Sequence, residues 1–112
     1  MIKRFKPAIV GGLILLRKDA NFLIHIVAAI LVVFFGFYFG VSKFEWFFLF
    51  IAIFSVLITE AINTAIEYAV DLTTEDYHVW AKYAKDVAAF SVLLASIFSI
   101  IIGLMIFIPR LF

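Results

Sequence analysis

Five polar side chains fall close together in the stretch TEAINTAIEYAVD, residues 59 to 71: Glu60, Asn63, Thr64, Glu67 and Asp71. Their separations are three, one, three and four residues. At about 100° per residue, that spacing gathers all five within an arc of about 100° on one helix face. Apolar Ile58, Ala61, Ile62, Ala65, Ile66, Ala69 and Val70 occupy the other faces. A row of carboxylates and an amide can accept a proton from a hydroxyl or hold a hard divalent cation through oxygen. It can also do no more than hydrogen-bond neighbouring helices. For Asn63 or Thr64 alone packing is an adequate reading, but two carboxylates seven residues apart are a costly way to join helices.

The elements that must carry this stripe follow from composition. Of 112 residues, 67% are hydrophobic and 15% charged, which leaves too little polar surface to cover a soluble domain of this size. Apolar stretches run from Phe22 to Phe39, from Trp46 to Ile58 and on to about Val70, and from Val87 to Ile108. Each approaches the roughly 20 residues that a helix needs to cross the hydrocarbon. The fold class expected is an all-α membrane protein, with transmembrane helices over 21–40, 46–70 and 87–108. A turn around Val41 to Glu45 and a polar connection from Leu72 to Asp86 join them. Continuous apolar runs without strand alternation exclude a β-barrel reading.

Residues 1–20 differ in character. MIKRFK followed by AIVGGLILL has the outline of a signal peptide, but Arg17, Lys18 and Asp19 come next and no small-residue cleavage pattern follows. A short surface helix, with Pro7 near its start and basic ends at lipid headgroups, is the expectation. Neither internal repeats nor a linker break the chain, so it reads as a single domain.

Lys3, Arg4, Lys6, Arg17 and Lys18 precede the first span, and Lys82 and Lys85 lie in the second connection. Only Lys43 and Arg110 fall on the other side. The positive-inside rule therefore makes the N-terminus and the Leu72 to Asp86 connection cytoplasmic, in a multi-pass protein of the cytoplasmic membrane. With no cysteine, thiolate chemistry and disulfides are excluded. A net charge of +1 argues against a nucleic-acid partner, and no glycine-rich phosphate loop is present.

If the second span begins near Trp46, Glu60 lies roughly 21 Å along a core of roughly 30 Å, and Glu67 reaches about the cytoplasmic boundary. An ionisable residue near a helix centre costs on the order of 2.5 to 3.5 kcal/mol to insert, which makes Glu60 a functional candidate. Asp71 reads equally well as a solvated helix-end charge. Lys85 and Asp86 open the third span, where an ammonium can meet a phosphate or simply mark the membrane boundary. Lys85, Ala89, Val92, Ser96, Ser99 and Gly103 follow in alternating steps of four and three, a seam of mostly small residues suited to close helix packing. EDYH, Glu75 to His78, has the Glu-x-x-His spacing of carboxylate-bridged metal sites, a weak signal in a single copy.

Taken together, EAINTAIEYAVD, DYH and AKDVAA, with NFLIHIVAA at the first span, closely resemble the small integral-membrane lipid kinases of bacteria, the diacylglycerol kinase and undecaprenol kinase family. The resemblance covers nearly the whole chain. It implies ATP-dependent phosphorylation of a membrane lipid alcohol with Mg2+, by a homotrimer whose active sites are shared between subunits. Glu60 matches the general base that takes the lipid hydroxyl's proton. Glu67, with Asp19 just before the first span, matches the carboxylates that hold magnesium on the ATP phosphates. Tyr77, His78, Lys85 and Asp86 match nucleotide-binding positions, and Asn63 the residue that orients the base or the phosphate. Two positions depart from the family pattern. Asp19 stands where the longer Glu is frequent, and Leu13 stands where a basic residue is common, with Arg17 or Lys18 as nearby substitutes.

His25 follows Asn21 and Phe22 in an Asn-Phe-x-x-His pattern usual in the undecaprenol branch, whereas the diacylglycerol branch tends to place an acid there. Undecaprenol is the favoured substrate, giving undecaprenyl phosphate, with diacylglycerol giving phosphatidic acid as the alternative. Asn21, His25 and Asn63 are the few polar groups available to a lipid headgroup. A small proton-coupled transporter would continue the polar path across the membrane, but the other half of span 2, EWFFLFIAIF, is aromatic and apolar. A non-enzymatic membrane subunit would need the seam but not Asp19, Lys85 and Asp86 in concert. Three spans supply too few helices to wall the Glu60 stripe from lipid, so neighbouring subunits are expected to complete it.

Overall fold

The computed structural model describes residues 2–73 and 76–112. Four helices follow in order: α1 (Ile2–Lys18), α2 (Ala20–Phe39), α3 (Lys43–Thr73) and α4 (Val79–Leu111). The last three are long and apolar enough to cross a membrane. This is an all-α membrane protein.

The helices run past the apolar spans. The α3 helix continues to Thr73 and α4 begins at Val79, so much of the polar connection is itself helical. No proline or glycine interrupts those polar turns, and only lipid contact ends where the apolar run ends, not the backbone hydrogen bonding. His78 caps α4 by accepting from the Trp80 N–H through its ring nitrogen. Glu75, the first residue of the Glu-x-x-His spacing, lies outside the described residues.

The turn between α2 and α3 is tight because Gly40 takes the left-handed conformation, φ 65° and ψ 49°. The N–H of Gly40 donates to the Phe37 carbonyl and that of Val41 to the Gly36 carbonyl, closing the helix end. A capping box starts α3. The Ser42 N–H donates to Glu45 Oε1 at 2.9 Å, and the Glu45 N–H donates to Ser42 Oγ at 3.3 Å. Arg110, at the end of α4, grips the same Glu45 with both guanidinium nitrogens, at 2.7 and 2.5 Å. Val41, Leu49 and Ile106 pack into a small core beside this fork, with Val32, Trp46, Ile102 and Phe107 around them.

These contacts make α2, α3 and α4 antiparallel in succession, with α3 in the middle. Its buried face is one line of residues, Leu49, Ala52, Val56, Glu60, Asn63 and Thr64, apolar in the first half and polar in the second. The facing line on α4 centres on Lys85, Ala88, Val92, Ser96, Ser99, Gly103 and Ile106, all at least half-buried. Ser99 joins the two helices by donating to the Ala52 carbonyl at 2.8 Å. Ala88, rather than its neighbour Ala89, is the residue of that turn buried against the bundle.

At the Gly36 level α2 and α3 touch closely. A Cβ built on Gly36 would stand 2.5 Å from Cη2 and 2.9 Å from Cζ3 of Trp46, too near for either to stay in place. Gly36→Ala is therefore expected to destabilise the bundle by about 1 to 3 kcal/mol, as overpacking does. Thermal unfolding in micelles checks this, and Trp46→Leu in the same chain should recover most of the loss. An unchanged Gly36→Ala midpoint would show that the indole moves aside freely.

The first helix carries exposed Phe5, Ile9, Val10 and Leu13 and ends in Arg17 and Lys18. A single non-helical residue, Asp19, separates it from α2.

Candidate active site

Asp19 owes its place to the helix it starts. With φ −105° and ψ 97° it is the N-cap of α2, and its Oδ1 accepts from the Phe22 N–H at 3.1 Å. That bond fixes the carboxylate and leaves Oδ2 pointing across to α3. There it meets Thr64 Oγ1 at 2.5 Å. One turn earlier on α3, Glu60 places Oε2 at 3.0 Å from the same hydroxyl. Partial burial opposes the charged form of Asp19, but bonding to Thr64 and Glu60 and to the Phe22 and Asn21 backbone outweighs it, so the Asp19 carboxyl sits below its ordinary pKa.

Burial in this cluster is nearly complete. Glu60 is 3% exposed, and Asn63 and Thr64 are 6% exposed each, within a single chain. This removes the reason given above for requiring neighbouring subunits around these three residues. Small α4 residues let α3 approach closely, and the start of α2 covers what remains. Glu67, one turn further on, is only half-buried and accepts from Asn63 Nδ2 at 3.1 Å. The other end of that amide, Asn63 Oδ1, is buried without a hydrogen-bond partner. It is a hard oxygen acceptor beside a carboxylate.

A divalent cation is therefore tested against oxygen donors. Among the described residues, no group of three or more His, Asp or Glu side chains is placed to hold a metal by itself. Magnesium does not need one, since it keeps several waters and takes one or two carboxylates together with substrate phosphates. Glu67, Asp19 and the unpartnered Asn63 oxygen fit that chemistry in kind. No described contact joins Asp19 to Glu67. The acid that Asp19 meets is Glu60, both directly and through Thr64.

About two turns beyond Thr64 lies a separate cavity of about 370 Å³, lined by Val70, Asp76, Tyr77, His78, Ala81, Lys82, Lys85 and Asp86. Of the residues the resemblance assigns to nucleotide, Tyr77, His78, Lys85 and Asp86 line it, whereas Asp19 and Glu67, assigned to nucleotide through its magnesium, do not. Lys85 Nζ lies 2.5 Å from Asp71 Oδ1, and Lys82 pairs with Asp86. Both pairs are exposed, so they hold weakly and a phosphate can compete for the ammonium groups. Asp71 is thus drawn into this end of the molecule as the partner of Lys85.

His25 sits half-buried at an apolar groove of about 520 Å³ between α2, α3 and α4, along with Ala29, Val32, Ser96, Ser99 and Gly103. The side chain of Asn21 is exposed, and only its backbone serves Asp19. The stripe, the capped acid and the basic cavity thus share one end of the bundle. Thr64 is the residue that sequence reasoning left as packing. Its partner Asp19 is 45 positions away, and no spacing within α3 could announce it.

Three helices able to span a membrane, with the buried Glu60 at one end beside a cavity edged with lysines, fit an integral-membrane enzyme. Comparison with known proteins narrows the class. The profile of the family described as prokaryotic diacylglycerol kinase matches residues 6–107. An undecaprenol kinase of Bacillus subtilis (strain 168) is 44% identical over 95 residues, 85% of this chain and 77% of that protein. A diacylglycerol kinase of Synechocystis is 51% identical over 57 residues, 50% of this chain and 33% of that one. Another, from Helicobacter pylori (strain 26695), is 43% identical over 54 residues, 48% of this chain and 42% of that one. The chain belongs to the prokaryotic diacylglycerol kinase family, and it is a lipid kinase.

Proposed function

We propose that this kinase transfers the γ-phosphoryl group of ATP to the hydroxyl of a membrane-embedded lipid alcohol, with undecaprenol as the favoured substrate. The observation that carries the reading is the cluster of half-buried Asp19 with buried Thr64 and Glu60, at the same end of the bundle as the lysine-lined cavity. Phosphoryl transfer asks the protein mainly for positioning and charge neutralisation. Glu60 takes the proton as the lipid oxygen forms its bond to the γ-phosphorus and the bond to the β-phosphate oxygen breaks. Lys85 holds the polyphosphate, with Tyr77, His78 and Asp86 around the nucleotide. Asn63 orients Glu67 through their hydrogen bond. Magnesium, held by Glu67 and Asp19 with the phosphates, would neutralise the charge that develops on them.

The depth of the groups suits two substrates of opposite solubility. Glu67 is seven residues beyond Glu60, about 10 Å by helix rise, towards the end that the positive-inside rule assigns to the cytoplasm. Water-soluble nucleotide approaches from that end, and the lipid hydroxyl arrives from within the bilayer. The same rule places the N-terminus inside and α1 along the cytoplasmic face of the bacterial inner membrane. A homotrimer remains the proposed assembly. Its support is the resemblance, the long exposed apolar faces of α2 and α4, and the open groove between them.

Preference for a polyprenol is supported by His25 at that apolar groove and by the long match to the undecaprenol kinase. A polyprenol has one primary hydroxyl and no ester carbonyls, so it needs few polar partners. The shorter matches to diacylglycerol kinases favour diacylglycerol as the second reading. Initial rates with magnesium-ATP and each lipid at matched surface concentration in mixed micelles decide between them. Undecaprenol is expected to react at least as fast as diacylglycerol. A diacylglycerol rate about tenfold higher or more, some 1.4 kcal/mol in the barrier, would reverse the preference and leave the kinase reading standing.

A further inference from the structure

Helix hydroxyls in this protein have a common habit. Ser55, Thr59, Thr73 and Ser91 each donate to a carbonyl three or four residues back in their own helix. That is the usual resting place for such a group inside an apolar helix. Ser99 departs from it by donating to a carbonyl of α3, and Thr64 departs further, towards side chains. Its hydroxyl stands instead between Asp19 Oδ2 and Glu60 Oε2, at 2.5 and 3.0 Å, and the residue is 6% exposed.

One hydroxyl carries one proton, so it donates to one carboxylate at a time. The contact to Asp19 spans 45 positions in sequence and crosses from the α1–α2 junction to α3. Asp19 is otherwise tied to the start of its own helix, through Phe22 and the Asn21 backbone, and to the Glu60 side chain. Without the hydroxyl, the two acids would be left to their own side-chain contact, and wherever both are charged they repel.

We propose that Thr64 is a positioning residue of the phosphoryl-transfer site, its hydroxyl holding Asp19 against α3 at the level of Glu60. The inference rests on the function proposed above. Thr64 does not touch the reacting atoms. It sets the separation of two acids that come from different helices, so its loss should misplace them both.

Thr64→Val keeps the shape and removes the hydroxyl, and Thr64→Ser keeps the hydroxyl. Thr64→Val is expected to lower kcat about tenfold or more, with the lipid KM little changed, and Thr64→Ser to recover most of the rate. Thr59→Val, which removes a hydroxyl spent on its own helix, serves as the control and should leave kcat unchanged. If Thr64→Val does not insert, Thr64→Ala carries the same comparison. A Thr64→Val enzyme with normal kcat, or a Thr64→Ser enzyme as slow as Thr64→Val, would overturn the assignment.

A second measurement does not depend on turnover. Asp19→Ser retains an N-cap for α2 but is too short to reach Thr64. In magnesium-free micelles, the unfolding-temperature losses from Asp19→Ser and Thr64→Val should overlap, the double variant losing clearly less than their sum. Strict additivity would overturn the tether. A wild-type protein inactive on every lipid alcohol would instead overturn the kinase function on which the role depends, a result separate from any difference between Thr64 variants.

Discussion

Glu60→Gln is expected to lower lipid phosphorylation by about 10²- to 10⁴-fold, the usual worth of a general base, while the protein still inserts and still binds ATP. The amide keeps the size of the carboxyl and can still meet the Thr64 hydroxyl, so the 3% exposed site has no cavity to collapse into. What it cannot do is accept the proton of the lipid hydroxyl. The loss should therefore appear in kcat, with little change in the KM for ATP, because the cavity proposed for the nucleotide begins nearly three turns away, at Val70, and contains no part of Glu60. Single-turnover phosphorylation and an ATP-binding measurement on the same preparation separate the two quantities. Near-normal turnover in Glu60→Gln would remove Glu60 from the role of base.

The second large effect concerns magnesium. Glu67→Gln and Asp19→Asn are each expected to raise the magnesium requirement by about one to two orders of magnitude, as loss of a ligand does, and the double variant should fall short of the product of the two. Two ligands acting through one ion are coupled; two acids with separate roles are not. Asp19→Asn should also lower kcat at saturating magnesium, because Asp19 is bonded to the hydroxyl that Glu60 shares. Glu67→Gln should be rescued more fully by added metal, since Glu67 bonds only to Asn63 among its described side-chain partners. Strict additivity across a magnesium titration would assign the two acids to different tasks.

Much of this site is legible before any tertiary contact is known. The stripe on α3 needs only the helix period, and the spanning helices need only the length of the apolar runs. The four positions that the resemblance matches to nucleotide binding, Tyr77, His78, Lys85 and Asp86, line one cavity because the start of α4 lies back beside the end of α3. The burial of Glu60 within its own chain was not legible. Counting helices suggested that one chain could not enclose the stripe, but enclosure depends on how near α4 comes, which the small side chain of Ala88 helps to set.

The sequence by itself determined that this protein lies in a membrane, that its acids share one face of one helix, and that small residues run down the helix that meets it. Those are properties of single segments, fixed by residue type and a period of about 3.6. Only the tertiary structure decided that Asp19 meets Thr64 and Glu60 rather than Glu67, about two turns beyond Glu60. The period says which side of a helix is polar, but it leaves open how far one helix slides along another. That register is set here by the tight turn at Gly40, the Gly36 contact with Trp46 and the Glu45 fork to Arg110 at the far end. A slide of about two helical turns, about 10 Å, would have put Glu67 where Asp19 now meets Glu60.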